Sequence, residues 1–202
     1  MPSRKYILIA FFTLTFSGCI ATKIPPKSEY RINTSTVGTK GEAQNCKDKS
    51  IKIAQAFSSS ALMSNHMIYA LGDSKQYMYS QSLWAHTPNS VVSSKFLKLI
   101  RETELFKSVQ VSKSRSSNDF LLEINIEDFM QHFNENSTSS YAKVLVSLTV
   151  IDVKSNNIIA TKTFISRVNI DRLDAEGGVA GLSEALNNIL DATNIWMNGV
   201  CQ

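Results

Sequence analysis

Histidines, a run of carboxylates and three cysteines are the residues on which chemistry could rest in this 202-residue chain. His66, His86 and His132 do not fall at the short spacings that hold a metal ion or orient a nucleophile. Glu123, Glu127 and Asp128 are close in sequence, and the two glutamates share the polar face of one strand, roughly 13 Å apart at the rise of an extended chain. Paired glycosidase carboxylates stand at most about 9.5 Å apart, so a solvated strand face accounts for these two. The sequence has no Gly-x-Ser-x-Gly elbow, no glycine loop of the kind that cradles phosphate and no Cys-x-x-Cys pair. Gly177-Gly178 reads as a hinge ahead of a helix. The expectation is a protein that is not an enzyme and needs no cofactor or metal.

The cysteines say more. Arg4 and Lys5 precede an uncharged, largely apolar run over residues 6–16, which ends in Phe16-Ser17-Gly18-Cys19. A basic start, a short apolar run and small residues form an export signal; the run falls well short of the ~20 residues a helix needs to cross a bilayer. The last four residues resemble the bacterial lipobox, in which the cysteine is acylated and becomes the mature N-terminus. An ordinary secretory signal is the alternative. Two acyl chains on sulfur and a third, typically palmitate, on the amine would anchor the protein stably, because each buried methylene contributes ~0.8 kcal/mol and one chain alone is marginal. Ile20 and Ala21 follow Cys19 where aspartate would favour retention in the inner membrane, so the outer membrane, periplasmic face, is expected. The organisation read from this is a signal peptide over 1–18, a lipid-anchored tether over 19–28 and a single domain over 29–202.

Cys46 and Cys201 remain. An even number of thiols in an oxidising compartment permits one bridge, which would close nearly the whole domain and contribute about 4–5 kcal/mol by loop closure; two free thiols are the other possibility. The formal charge of +4 halves when 1–18 is removed, leaving 19 basic against 17 acidic residues. Those basic residues are dispersed and no stripe of them alternates with aromatics, which speaks against nucleic acid as a partner. A mean hydropathy of -0.09 with 43% hydrophobic residues excludes neither a core nor solubility, but argues against a polytopic membrane protein and against wholesale disorder.

These residues need a scaffold, and the apolar periodicity outlines one. Residues 20–28 contain Pro25-Pro26 and no periodic face, as a tether does. Strands are expected over 29–36 and from 51, with a hairpin over 67–71 and 76–83. Thr87-Pro88 has the form of a helix start, and Val92, Phe96, Leu99, Ile100 and Phe106 follow as one stripe. A short strand over 108–112 comes next. Phe120, Leu122, Ile124 and Ile126 alternate with Leu121, Glu123, Asn125 and Glu127, the clearest half-buried strand in the chain, and strands over 141–153 and 158–170 complete a meander. A long helix from about Val179 to Val200 ends the chain. The fold class expected is α+β, in two layers, with a mostly antiparallel sheet and helices packed on one face.

Several segments go further than fold class. Tyr79-Ser80-Gln81-Ser82-Leu83-Trp84-Ala85-His86-Thr87-Pro88, then Leu105-Phe106-Lys107-Ser108-Val109, Asp119 to Glu123, Glu127-Asp128-Phe129, Thr161 to Phe164 and the last helix with Trp196 resemble, in order and spacing, the ABC-type transport auxiliary lipoproteins of the paraquat-inducible protein C type. The resemblance spans the mature chain; the 37–49 loop and the two cysteines depart from it. It implies an outer-membrane lipoprotein that docks an MCE (mammalian cell entry) domain protein and its ABC permease and ATPase, and assists transport of phospholipid or another hydrophobic substrate without catalysis. On this reading Trp84 is either a core anchor or a partner-facing aromatic, and a homo-oligomer is left open. A structural or regulatory lipoprotein of the cell envelope, such as an activator of peptidoglycan synthesis or a secretion-assembly component, is the rival from another class.

Overall fold

A computed structural model describes residues 26–35 and 38–202 of the chain. Cys19 and the signal segment lie outside the described residues. One mixed sheet carries nine strands: β1 Ser28–Tyr30, β2 Ser50–Ile53, β3 Phe57–Ser58, β4 His66–Leu71, β5 Lys75–Trp84, β6 Ser108–Val111, β7 Phe120–Phe133, β8 Ser140–Asp152 and β9 Asn157–Ile170. A 3₁₀ turn, Ser60–Met63, precedes β4; helix α1 spans Pro88–Glu102 and helix α2 spans Ala175–Val200. This is the α+β arrangement, and its long ladders, β7 with β8 and β8 with β9, are antiparallel. The shorter pairings of β2, β3 and β4 with β7, of β2 with β6 and of β1 with β5 are parallel. The first strand is three residues long, where the sequence suggested eight, because Arg31 onward leaves the edge of β5 and turns toward α2, where the Asn33 and Ser35 amides donate to Ser183 and Asn187.

Strand β7 organises the sheet. Leu122, Ile124 and Ile126 are buried while Glu123, Asn125 and Glu127 face out, as alternation requires. A β-bulge follows: Ile126 pairs with Val146 and Asp128 with Leu145, so Glu127 has no partner opposite. The extra residue shifts the phase by one, and Phe129, Gln131 and Phe133 now point inward. Along its other edge β7 takes β2 and β3 before the bulge and β4 after it.

Both helices lie on the inward face. Val92, Phe96, Leu99 and Ile100 of α1 are buried at helical spacing, and Phe106 is buried beyond the helix end. Pro88 occupies the first turn, but the Thr87 hydroxyl donates to Asn89 Oδ1 at 2.6 Å and does not cap the helix. Helix α2 buries Leu182, Leu186, Ile189, Leu190 and Met197. Its N-cap is Asp174, whose Oδ1 accepts the Gly177 N–H at 2.9 Å. Gly177-Gly178 is therefore no hinge: both glycines sit inside the first turn of α2, and a Cβ on Gly178 would stand 2.4 Å from Gln131 Oε1. That close approach buries Gln131, which donates to Ser140 Oγ at 2.8 Å and accepts from the Tyr79 hydroxyl at 2.7 Å. Burial, then the neighbouring Tyr69, pushes the Tyr79 phenol above its ordinary range.

Cys46 and Cys201 are joined in a disulfide, with Cα atoms 5.3 Å apart and 155 residues between them in sequence. The bridge ties the loop before β2 to the end of α2, where the Asn45 N–H donates to the Cys201 carbonyl at 3.2 Å. At the start of the sheet, the Asp119 carboxylate accepts the Ser50 backbone N–H at 2.7 Å and its hydroxyl at 2.8 Å, clamping β2 to the entry of β7.

Two predictions follow from these ties. Replacing both Cys46 and Cys201 by Ser should lower unfolding free energy by up to about 5 kcal/mol, read from urea denaturation of the oxidised and variant proteins. The hydrogen bonds from the Ser50 amide and hydroxyl hold the Asp119 carboxyl below the ordinary aspartate range. A depressed carboxyl adds stability above its unfolded pKa, and that contribution is lost as pH falls through the folded one. NMR titration should place the Asp119 midpoint below the about 3.9 of an unstructured aspartate, and Ser50→Ala should move it upward.

Candidate interaction surface

With both helices on one side, the opposite face of the sheet is left open, and the bulge decides what stands on it. Glu127 donates nothing but accepts the Ser147 hydroxyl at 2.5 Å, and Ser147 and Thr163 share a 2.8 Å hydrogen bond. Thr149 and Thr161 form a second cross-strand hydroxyl pair at 2.6 Å. Small polar side chains dominate this half of the face, with Phe57, 70% exposed, opposite Asn125 and Ile158, 66% exposed, at the β8–β9 turn.

Past the bulge the face changes character. Asp128 and His132, which an uninterrupted alternation would send into the core, come out onto the open side. Asp128 Oδ2 lies 2.9 Å from Lys143 Nζ, and His132 Nε2 lies 3.1 Å from both carboxylate oxygens. The imidazole stacks on Tyr141, 5.1 Å between centroids and 5° from parallel, and the Arg167 guanidinium sits 5.3 Å from the same ring centroid. Lys143 and Arg167 are directly opposed across β8 and β9, a like-charge pairing that costs stability unless something compensates it. Asp128, whose side chain is 10% exposed, compensates Lys143. His132, Tyr141, Lys143 and Arg167 line an open cavity of about 550 Å³ whose rim is made by Gly72, Asp73, Asn134, Glu135 and Ser139. The arrangement holds an imidazole and two cations rigidly beside an opening. It suits recognition of a polar or anionic surface, and no hydroxyl or thiol nucleophile stands within hydrogen-bonding reach of His132 among the described residues.

The residues singled out from sequence are scattered. Trp84 is 4% exposed, with its ring edge-on to Phe129 at 6.1 Å, and the Trp84 amide and carbonyl are both bonded to Asn65. It is the core anchor of the two readings, which corrects the partner-facing expectation: a β5 side chain packed on Phe129 of β7 has no surface left for a partner. His66 and His86 are exposed and apart from the cluster. Glu123 and Glu127 stay on the solvated face. No group of three or more His, Cys, Asp or Glu that could hold a metal ion occurs among the described residues, and no helix among them is long and apolar enough to cross a membrane. Sequence reasoning missed the Asp128, His132, Lys143, Tyr141 and Arg167 cluster. The one signal for it was the break in alternation after Ile126.

No protein-family model matches the sequence, and no curated protein sequence matches it. Solved structures do resemble the fold. The protein XCC0632 from Xanthomonas campestris, of the family DUF330, superposes with a TM-score of 0.75 at 12% identity, over 86% of this chain and 96% of that one. A second crystal structure, of an uncharacterized protein, gives a TM-score of 0.63 at 12% identity, over 86% and 99% of the two chains. At such identities the likeness shows a shared fold.

If Asp128 is what reconciles Lys143 with its neighbours, Asp128→Ala should cost about 1–3 kcal/mol, since it strands a partly buried cation. Glu123→Ala, on the solvated half of the same strand, should change stability by less than about 0.5 kcal/mol. Chemical denaturation of the two variants side by side checks the difference.

Proposed function

We propose that this chain is an outer-membrane-anchored, periplasm-facing auxiliary lipoprotein of an ABC/MCE-type transport system. It docks the MCE-domain component and assists movement of phospholipid or another hydrophobic substrate between the membranes, performing no chemistry of its own. The observation that carries this reading is the ordered series of segments from Tyr79 to Pro88, Leu105 to Val109, Asp119 to Glu123 and Glu127 to Phe129, which resembles that lipoprotein family.

The structure supports the reading by giving those segments one joint role. Trp84 closes β5 against Phe129 of β7, Pro88 opens α1, and the buried pair Leu105 and Phe106 turns the chain from α1 into β6. They build the junction where the hairpin, α1 and the central strand meet. A family signature made of such positions preserves a shape, and the open sheet face is the part of that shape available to a partner. The Cys46–Cys201 bridge suits an oxidising compartment such as the periplasm, in keeping with acylation at Cys19.

The test is made in envelopes of the producing cell. Cross-linking followed by capture of the tagged, full-length protein should recover an MCE-domain protein with its ABC permease. Cys19→Ser should abolish palmitate incorporation and release the protein from the outer-membrane fraction. Recovery of a peptidoglycan synthase or a secretion component in place of the MCE protein would favour the rival envelope role.

A further inference from the structure

The register of β1 fixes the direction from which the chain enters the domain. β1 runs parallel to β5, with Ser28 opposite Ser82 and Tyr30 opposite Trp84. Traced backward, the chain therefore heads toward Lys75 and the tip of the β4–β5 hairpin. That tip is level with the end of β7, since the Gly72 N–H donates to the Phe133 carbonyl at 3.0 Å. From Ser82 back to Lys75 is about 24 Å of strand, and the nine residues from Cys19 to Ser28 reach at most about 30 Å. The β8–β9 turn lies on the order of 45 Å from that tip along β7, on the side away from which the chain heads when β1 is traced backward. Continued on the line of β1, those nine residues would carry an acyl group on Cys19 a few ångströms past the hairpin tip, so it is the direction of entry that points the anchor to that end.

The open face at that end is amphipathic. Met78, 60% exposed, stands opposite Ile68 on the hairpin. Half-buried Met130 is opposite Lys143, and Lys143 is opposite exposed Arg167. Ile165, 58% exposed, lies two residues from Arg167 on the same face of β9. Tyr141 borders these groups, and the carboxylates of Asp73 and Glu135 sit in the loops at the rim. Exposed apolar side chains beside a tyrosine and an arginine are the mix that settles at a lipid headgroup layer, the apolar ends inside and the Arg167 guanidinium on phosphate, while Lys143 stays paired with Asp128. Among the described residues β5 has no strand partner beyond β4 from Lys75 to Gln81, so nothing in the fold covers Met78.

We propose that this end of the open sheet face, around Met78, Lys143, Ile165 and Arg167, is a phospholipid-bilayer contact surface that seats the domain on the membrane holding its anchor. The proposal rests on acylation of Cys19. It orients the molecule with the hairpin tip toward the lipid and the β8–β9 turn toward the periplasm.

The cysteine chemistry makes a clean test possible, because with Cys19 acylated and Cys46 bridged to Cys201 an introduced thiol is the only one free. Full-length protein carrying Met78→Cys, Gln76→Cys or Ile158→Cys would be labelled with an environment-sensitive fluorophore. Each would be reconstituted in vesicles of three parts phosphatidylethanolamine to one part phosphatidylglycerol, with and without doxyl-labelled lipid. The labels at 78 and 76 should be quenched at least twofold more than the label at 158, and Arg167→Glu should reduce the quenching at 78 by half or more. Equal quenching at 78, 76 and 158 in protein whose N-terminal peptide carries its acyl groups by mass spectrometry would overturn this inference and leave the anchor standing. An unmodified Cys19 would overturn both.

Discussion

The one-residue bulge at Glu127 is the constraint on which the rest of this structure depends. Residues 126–133 read Ile-Glu-Asp-Phe-Met-Gln-His-Phe. In an unbroken strand whose even positions face inward, Asp128 and His132 would be driven into the core and Phe129 and Phe133 into water. Burying an unpaired carboxylate costs several kcal/mol, and each stranded phenylalanine forfeits roughly 2–3 kcal/mol of apolar burial. Leaving one backbone position unpaired is far cheaper, so the chain skips a register step. The consequences run outward from there. Phe129 becomes available to meet Trp84, Gln131 to meet Tyr79 and Ser140, and Asp128 and His132 to meet Lys143.

The bulge also divides the labour along β7. Before it, β2 and β6 bring α1 to the sheet; after it, β4 and β5 bring the hairpin and the entry of the chain. Helix α2 bridges the two halves, and it can do so because its first two turns carry glycine at 177, 178 and 181. A Cβ at Gly181 would come within 2.9 Å of both Ala142 and Ile170. Small residues on both surfaces let the helix backbone settle on the sheet where the inward side chain is the polar Gln131. The other end of α2 is held covalently, by Cys201 to Cys46, and the loop before β2 is further tied to α1 through the Gly38 amide on Glu102 and the Gly41 amide on the Thr103 carbonyl. A loop that looked unstructured in sequence is thus fastened at both helix C-termini.

What was legible in the sequence was whatever repeated with a fixed period. The even-numbered run from Leu122 to Ile126, the run from Ala142 to Val150 and the stripes of both helices gave the meander, the helices and the two-layer class, and each is buried as its period requires. The reading failed where a local event broke the period. After Ile126 the alternation inverts, so the period stops there while β7 runs on to Phe133, and the cluster assembled by that inversion stays invisible in the sequence. Parallel pairing of β2, β3 and β4 with β7 is set by long-range contacts that no local pattern announces. Gly177-Gly178 was read for its freedom when its lack of a side chain is what matters, and Trp84 could be placed on either side because an aromatic at a strand end suits both a core and a surface.

The same division between core and surface bears on how a protein of this kind can work. Segregating both helices to one face leaves a sheet whose other side must be soluble without a second layer. The half of that side before the bulge achieves this with hydroxyls that bond one another across strands, Ser147 to Thr163 and Thr149 to Thr161, around which only Phe57 and Ile158 of its large apolar side chains stand well exposed. The half after the bulge keeps exposed Met78, Ile165 and Arg167 beside a rigid, paired Asp128, His132 and Lys143. Exposed apolar side chains next to held cations cost solubility unless a surface takes them up, whereas a hydroxyl lattice costs nothing when left in water. The face therefore changes its chemistry along β7, and the end that sets held cations beside exposed apolar side chains is the end toward which β1 points the incoming chain.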